Sequence, residues 1–389
     1  MSLFPTYKRH PVHFVDGEKA VLTDAQGKRY LDFGSGIGVT NLGHKHPRVL
    51  EALMAQARAV WHVSNLFEQP LQEKVAEKLC QITGLDAVFF CNSGAEANEA
   101  LIKLARKWAK DAKIIHEPEI ITFTGSFHGR TLATLTATGQ EKVKTGFDPL
   151  PPGFRTVPYG DMEAVKGATR TTTTGVFLEL VQGEGGVRPA DPAFVRELAD
   201  WCKEKEILLM IDEVQTGVGR TGEWFAYQAY GIKPDAISVA KGLGNGYPVG
   251  AVVADSRLKP VLGPGTHGTT FGGNPLAMAV CDAVLTEIEQ TGLLEQVREK
   301  AEYLKKKLDG LIRSLPAVRE IRQKGLMVGI ELDEPAAPFI RQLLENGLVV
   351  LPAGEKVVRL LPPLIVSEEE IDQAASVLHQ TLSQTKIGM

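Results

Sequence analysis

Between positions 87 and 254, strand-length apolar runs alternate with helical patterns, and nothing else in the chain restricts its fold so tightly. The runs lie at 87–91, 119–123, 175–181, 207–211, 236–240 and 249–254. Several are unbroken stretches of Val, Ile, Leu and Phe, without the alternation of a half-exposed strand. Such strands need cover on both faces, which parallel strands flanked by helices obtain. Apolar residues at helical spacing over 95–110 and 192–205 supply that cover. The pattern predicts an open α/β sheet.

The two ends break the pattern. Residues 12–33 predict short strands with a turn at Asp24-Ala25-Gln26-Gly27. A helical region over 276–315 is expected to break near Thr291-Gly292, and short strands at 326–332, 347–351 and 357–360 follow. A last helix opens on Ser367 with Glu370 three residues later, the two halves of a capping box. These signals predict a large domain over 51–275 and a smaller α+β domain over 276–389, to which the N-terminal segment 1–50 contributes.

In an open α/β sheet, ligands bind beyond the carboxyl ends of the strands. The residues there are Asn92-Ser93-Gly94-Ala95-Glu96-Ala97-Asn98, Thr124-Gly125-Ser126-Phe127-His128-Gly129-Arg130, Gln182-Gly183-Glu184-Gly185-Gly186, Asp212-Glu213-Val214-Gln215 and Lys241-Gly242-Leu243-Gly244. Five successive strands therefore end in polar, glycine-rich or ionisable clusters.

Composition removes several classes of partner. The formal charge of −4, from 43 Lys+Arg against 47 Asp+Glu, leaves no basic footprint for nucleic acid and no polybasic membrane patch. No apolar stretch reaches the roughly 18–20 residues of a membrane span, and the first residues lack the apolar core of a signal peptide. Cys80, Cys91, Cys202 and Cys281 are scattered, and His44 and His46 have no partner cluster, so neither disulfides nor a metal site is expected. The expectation is a soluble, cytoplasmic protein.

Gly217-Val218-Gly219-Arg220-Thr221-Gly222 matches the GxGxxG of dinucleotide-binding turns, which keeps an NAD-dependent oxidoreductase as the alternative class. Its context argues against that role. Asp212-Glu213-Val214-Gln215-Thr216 intervene between strand and first glycine, and an aromatic-rich stretch follows the last. Asp235 also stands before the next strand, where a ribose-binding acid would stand at its far end.

Another pair of strand ends is more informative. Asp212 directly follows one apolar run and Lys241 follows the next. The two could form a plain buried salt bridge. Alternatively, the lysine is a Schiff-base nucleophile and the aspartate the partner of a pyridinium nitrogen, the pair that pyridoxal phosphate (PLP) chemistry requires. Ser93-Gly94-Ala95 opens a helix whose free N–H groups and dipole favour an anion such as the cofactor phosphate. Taken alone, Ser93 reads as an ordinary N-cap. One cofactor accounts for all of these features together, with Phe127 available to stack on its ring.

The five clusters, continued through Thr216-Gly217 and joined by His267-Gly268-Thr269-Thr270-Phe271-Gly272-Gly273-Asn274-Pro275, resemble the ordered signature of class III PLP-dependent aminotransferases. The resemblance covers nearly the whole chain. Tyr7-Lys8-Arg9 with Pro11-Val12, Tyr30-Leu31-Asp32-Phe33 and Gly36-Ile37-Gly38-Val39 are most similar to the branch acting on N-acetylornithine. The resemblance implies PLP fold type I, with a mostly parallel sheet in a large domain, and a homodimer with shared active sites. It also implies transfer of the δ-amino group of N-acetylornithine to 2-oxoglutarate, a step of arginine biosynthesis. Succinylornithine, ornithine, 4-aminobutyrate and succinyl-diaminopimelate are alternative donors sharing the same motifs.

Residue roles follow by the same resemblance. Lys241 would hold pyridoxal 5'-phosphate and shuttle the proton, and Asp212 would pair with the pyridine nitrogen. Glu213 falls in the same cofactor-binding run, Val214 would pack on a ring face, and Gln215 would hydrogen-bond the phenolic oxygen. Gly94 and Ala95 would offer backbone N–H groups to the phosphate, Phe127 would stack on the ring, and Thr270 would reach the phosphate of the neighbouring subunit. Arg130, with Thr269 nearby, would bind the acetylornithine carboxylate. Arg359 would bind the α-carboxylate of 2-oxoglutarate, with Glu184 covering it while the donor is bound. His128 reads as a structural loop residue, while Trp61 and His62 suit either the substrate channel or a subunit interface. Two positions depart from the family pattern: Gly38 stands where Ala is expected, and Ala95 where Thr or Ser is common.

Overall fold

The computed structural model describes residues 2–383; Met1 and the end of the expected C-terminal domain, 384–389, lie outside the described residues. Its central sheet has seven strands in the order Ala87–Cys91, Gly250–Ala254, Ala236–Val239, Leu208–Asp212, Thr173–Leu178, Glu119–Phe123 and Phe154–Val157. Gly250–Ala254 runs antiparallel to both neighbours, and the other pairings are parallel. Every residue of Thr173–Leu178 and Leu208–Asp212 is buried, as unbroken apolar runs require. The edge strand Phe154–Val157 has no counterpart among the six expected runs. It is short, partly exposed and preceded by Pro151-Pro152-Gly153, so its sequence carries little apolar signal.

Helix Gly94–Lys113 covers one face, burying Leu101, Ile102, Leu104, Ala105 and Trp108 against the sheet. Ser93 caps its start, and Lys110 and Lys113 lie in its last turn, where cations oppose the helix dipole. Helix Pro192–Glu204 begins on Asp191, whose carboxylate accepts from Ala193 and Phe194 N–H groups. Below it, Phe194, Val195 and Leu198 join the other main core.

The chain ends pack together. Strands Phe14–Glu18, Val21–Asp24 and Arg29–Asp32 form a sheet that Leu348–Val349 completes, with Leu31 opposite Leu348 in parallel register. The expected strand at 347–351 is thus divided: Leu348–Val349 joins the N-terminal strands, and Leu351–Ala353 joins an antiparallel sheet with Val318–Lys324, Met327–Leu332 and Val357–Leu360. Val318–Lys324 is an unexpected strand because four of its seven residues are charged. The long helical region breaks where expected, into Pro275–Gln290 and Leu293–Leu311 around Gly292 at φ 62°. The final helix, Glu368–Leu382, has the capping box on Ser367 and Glu370. Among the described residues, no helix is long and apolar enough to cross a membrane.

Candidate active site

The carboxyl ends of the central strands and the start of helix Gly94–Lys113 enclose a cavity of about 460 Å³, within the size range of small-molecule sites. Gly94, Ala95, Phe127, Asp212, Val214, Gln215 and Lys241 line it, and so do Arg130 and Glu184.

Lys241 follows strand Ala236–Val239 by two residues and opens a short 3-10 turn, Lys241–Leu243. Its φ is 45°, a left-handed backbone that a side-chain-bearing residue adopts only when its surroundings impose it. Removal from solvent, and then the Arg359 guanidinium, push its amine down to about 8, against the opposing pull of Glu184, Asp212 and Glu179. The lysine is therefore partly neutral near physiological pH.

Asp212 ends the adjacent strand, level with Ser238 of the lysine's own strand. Three groups orient its carboxylate. Asn98 Nδ2 donates to Oδ2 at 2.8 Å, His128 Nδ1 lies 2.8 Å from the same oxygen, and the Val214 N–H donates to Oδ1 at 3.0 Å. The imidazole is itself fixed by stacking on Phe177, with ring centroids 4.1 Å apart. A nearly buried carboxylate held this way is a fixed negative point facing the cavity.

The helix start provides the opposite polarity. Ser93 Oγ accepts from Glu96 N–H, and the Ser93 carbonyl accepts from Ala97 N–H. The amides of Gly94 and Ala95 remain for an outside acceptor, in the manner of helix N-termini that bind phosphate. Gly94 is required by space: a Cβ there would lie 2.7 Å from Val214 Cγ1. A flat ring could sit between Val214 and Phe127, and the Arg130 guanidinium lies 5.6 Å from the centre of the Phe127 ring. Unpaired helix amides, an anchored carboxylate and a lysine of lowered basicity fit PLP.

Arg359, in strand Val357–Leu360, is 2% exposed and stands behind the cavity lining, where its fork meets the lining residues Glu184 and Gln215. Nη2 is 2.7 Å from Glu184 Oε1, Nη1 donates to Gln215 Oε1 at 3.2 Å, and Nε has no partner among the described residues. The guanidinium is thus covered by an internal carboxylate and retains an unused donor.

Besides Arg359 behind it, three expected residues lie outside the lining of this cavity, among them Thr270, which is expected to serve the neighbouring subunit. Glu213 is wholly buried on the far side of the turn, where its carboxyl accepts from the Thr216 hydroxyl and from Tyr227 N–H. Burial pushes it up to about 7. Its side chain thus braces the loop, on the side away from the cavity. Thr269 accepts from Asn92 Nδ2 at 3.1 Å, outside the lining, and Thr270 is exposed. Trp61 is 64% exposed, and the His62 ring lies 5.2 Å from Phe271, away from the cavity. The glycine loop 217–222 opens no helix until Ala226–Tyr230, and its centre is occupied by the buried Arg220. That arrangement leaves no cradle for a dinucleotide.

Asn98 and Glu179 were not foreseen. Asn98 stands one helical turn beyond Gly94, so its direction toward the cavity was available from spacing. Glu179 accepts from Phe127 N–H at 2.9 Å and from Gly183 N–H at 3.4 Å, and burial followed by Asp212 pushes it up to about 8. A lone acid within the apolar run 175–181 was its signal. His128 is the structural loop residue expected, and the structure adds that its ring supports Asp212.

Comparison with known proteins agrees with this geometry. The family model for aminotransferase class-III matches residues 5–382. The acetylornithine aminotransferase of Bacillus subtilis is 51% identical over 383 residues, 98% of either chain. That of Halalkalibacterium halodurans is 53% identical over 385 residues, 99% of either chain. Among solved structures, the ornithine aminotransferase of Toxoplasma gondii, with partial occupancy of PLP at its active site, gives a TM-score of 0.94 at 32% identity, covering 98% of this chain and 92% of that one. The acetylornithine aminotransferase of Elizabethkingia anophelis gives 0.88 at 32% identity, covering 98% and 96%.

Proposed function

The chain belongs to the class-III aminotransferases, and from that premise we propose how its residues carry out the reaction. It is a PLP enzyme of fold type I that moves the δ-amino group of N-acetylornithine to 2-oxoglutarate, giving N-acetylglutamate semialdehyde and glutamate for arginine biosynthesis. The observation that carries the two-substrate reading is the Glu184–Arg359 pair, 2.7 Å apart, whose Glu184 lines the Lys241 cavity. An enzyme that admits two carboxylates in turn needs a cation that can be covered and uncovered.

When bound, pyridoxal phosphate supplies a carbonyl that takes up the amino group and a ring that accepts electrons from the neighbouring C–H bond. Lys241 holds the cofactor and moves the proton at the substrate carbon, a task suited to an amine lowered to about 8. Asp212, braced by Asn98 and His128, keeps the proton on the ring nitrogen. Gly94 and Ala95 receive the phosphate, Phe127 and Val214 take the two ring faces, and Gln215 reaches the phenolic oxygen. Arg130 holds the donor carboxylate, with Thr269 beside it. Arg359 stays on Glu184 during that half-reaction, then turns to the 2-oxoglutarate carboxylate as a planar fork.

The active assembly in this proposal is a cytoplasmic homodimer. Its support is the exposure of Thr270 together with Trp61, Leu66, Phe67 and Phe271, which leaves an apolar band on one chain. A second copy covering that band would bring its Thr270 to the first copy's phosphate. Residues 51–275 would form the cofactor domain, and 276–389 with 1–50 the smaller one.

Purified enzyme should turn over N-acetylornithine with 2-oxoglutarate at higher kcat/KM than any other ω-amino donor. The fold similarity to an ornithine aminotransferase makes ornithine the competitor to measure beside it. Faster turnover of ornithine or 4-aminobutyrate would overturn the donor assignment.

A further inference from the structure

Arg220 is the largest fully buried side chain among the described residues, and no reaction step uses it. It stands at the centre of the glycine loop that resembles a dinucleotide motif. The loop reaches its shape through left-handed residues, Val218 at φ 57° and Gly219 at φ 87°. Its compactness is required, since a Cβ at Gly219 would lie 2.9 Å from Leu364 Cδ1. Among the described residues no carboxylate hydrogen-bonds the guanidinium, and Asp32 acts on it only through its field. Nη2 donates to Asn41 Oδ1 at 2.8 Å, Nη1 donates to the carbonyls of Leu326 (3.2 Å) and Pro362, and Nε has no partner among the described residues. A buried charge satisfied only by neutral acceptors is costly, and burial pushes its pKa down to about 9. Mere packing would be served better by an apolar residue.

The partners show what the guanidinium joins. Asn41 belongs to the N-terminal segment, and its amide also donates to the Val218 carbonyl at 2.9 Å. The same amide presses on the residue after the catalytic lysine: a Cβ at Gly242 would lie 2.2 Å from Asn41 Nδ2. The Asn41 carbonyl accepts from Leu364 N–H at 2.7 Å. Pro362 lies two residues past the strand that carries Arg359. One planar fork therefore reaches the turn of Lys241 through Asn41 and the strand of Arg359 through Pro362.

We infer that Arg220 is a positioning residue that sets the separation between the Lys241 amine and the Arg359 fork by clasping Asn41 and Pro362. This inference rests on the aminotransferase reading above and deepens it. The left-handed backbone of Lys241 needs outside support, and the Asn41 amide against Gly242 gives it. Arg359, with one unused donor, needs its strand end fixed if its fork is to meet a carboxylate squarely.

The test compares Arg220→Lys and Arg220→Met with wild type. Amide hydrogen exchange over 241–244 and 357–364, measured in cofactor-free protein, should accelerate at both segments together while the rest of the central sheet keeps its protection. In cofactor-loaded enzyme, both half-reactions should slow, with KM for 2-oxoglutarate rising by about tenfold and that for the donor much less. Addition of guanidinium to Arg220→Ala should restore part of the rate. If either Arg220 variant fails to fold, Asn41→Ala cuts the link to Gly242 and should loosen 241–244 while leaving 357–364 less affected. Unchanged exchange at both segments would overturn the inference, as would a rate loss that only follows the fraction of folded, cofactor-loaded protein. A wild-type enzyme without transaminase activity would overturn the earlier reading instead, and the exchange result would still decide whether the clasp exists.

Discussion

Replacing Glu184 by Gln isolates the pair that would allow two carboxylates to share one pocket. In the wild-type structure, Arg359 donates to Glu184 Oε1 at 2.7 Å and to Gln215 Oε1 at 3.2 Å, so among the described residues the carboxylate is its one ion-pair partner. The glutamine keeps a hydrogen bond and removes the charge. Charge-assisted bonds contribute about 1.5–3 kcal/mol and neutral ones about 0.5–1.5. Glu184 is about one-third exposed, so solvent screening favours the low end of the difference, about 1 kcal/mol or roughly fivefold. That fivefold is gained by any ligand that must displace Glu184, because the open fork becomes more populated. The KM for 2-oxoglutarate should fall by about this factor, and the donor half-reaction should slow because the uncovered guanidinium faces an incoming amine. Glu184 also raises the Lys241 amine whereas Arg359 lowers it. In cofactor-free Glu184→Gln, Lys241 should therefore titrate at lower pH than in wild type. Stopped-flow absorbance of the cofactor separates the two half-reactions, and chemical labelling of the lysine follows its titration. Equal rates and KM values in both half-reactions would refute the switch.

Lys241→Ala should bind cofactor without borohydride-resistant attachment and lose about 10²–10⁴-fold in rate from proton transfer alone; retained covalent fixation would contradict the assignment. Gly94→Ala places a methyl 2.7 Å from Val214 Cγ1, and overpacking of about 1–3 kcal/mol should appear as faster cofactor loss on dialysis with unchanged secondary structure. Glu179 has a folded-state pKa raised to about 8, so its neutral form stabilises the cofactor-free fold at low pH and that contribution disappears as pH rises from about 4.5 to 8. Cofactor-free Glu179→Gln lacks this loss, and its melting temperature relative to wild type should rise steadily as pH rises across that window. A difference independent of pH would refute it.

What the amino-acid order revealed depended on how local each signal was. The buried strands announced themselves because a strand covered on both faces must be apolar throughout, and the helix after Ala87–Cys91 carried its own cap and charge pattern. Asp212 and Lys241 were legible for the same reason: an ionisable residue directly after such a run stands where ligands bind. Phe154–Val157 and Val318–Lys324 were not, since an edge strand and a charge-rich strand are specified by their neighbours. The support of Asp212 by Asn98 and His128 is a meeting of three strand ends and helix starts, separated in sequence by 30 to 114 residues. Glu213 shows the converse limit. It sits between two cavity residues, yet the turn directs its carboxyl to Thr216 and Tyr227, because adjacent residues leaving a strand point to opposite sides.

The near-neutral net charge acquires a different meaning once the cavity is mapped. Lys241 and Arg130 face Asp212, Glu179 and Glu184 around one space, with Arg359 behind Glu184 and Glu179 favoured in its neutral form, so most of the site's charge is opposed by sign before any ligand enters. A phosphate group disturbs that balance, and the Gly94–Ala95 end of the cavity lining supplies it with helix amides and no cationic side chain. Three consequences follow from this arrangement. Cofactor affinity depends on the geometry of Gly94 and Ala95 more than on ionic strength, because fixed dipoles in a confined site are screened weakly. The two arginines remain available for substrate carboxylates instead of being consumed by the cofactor. In the proposed reaction, Glu184, with the unused Arg359 donor beside it, is the place where the charge balance would shift between one half-reaction and the next.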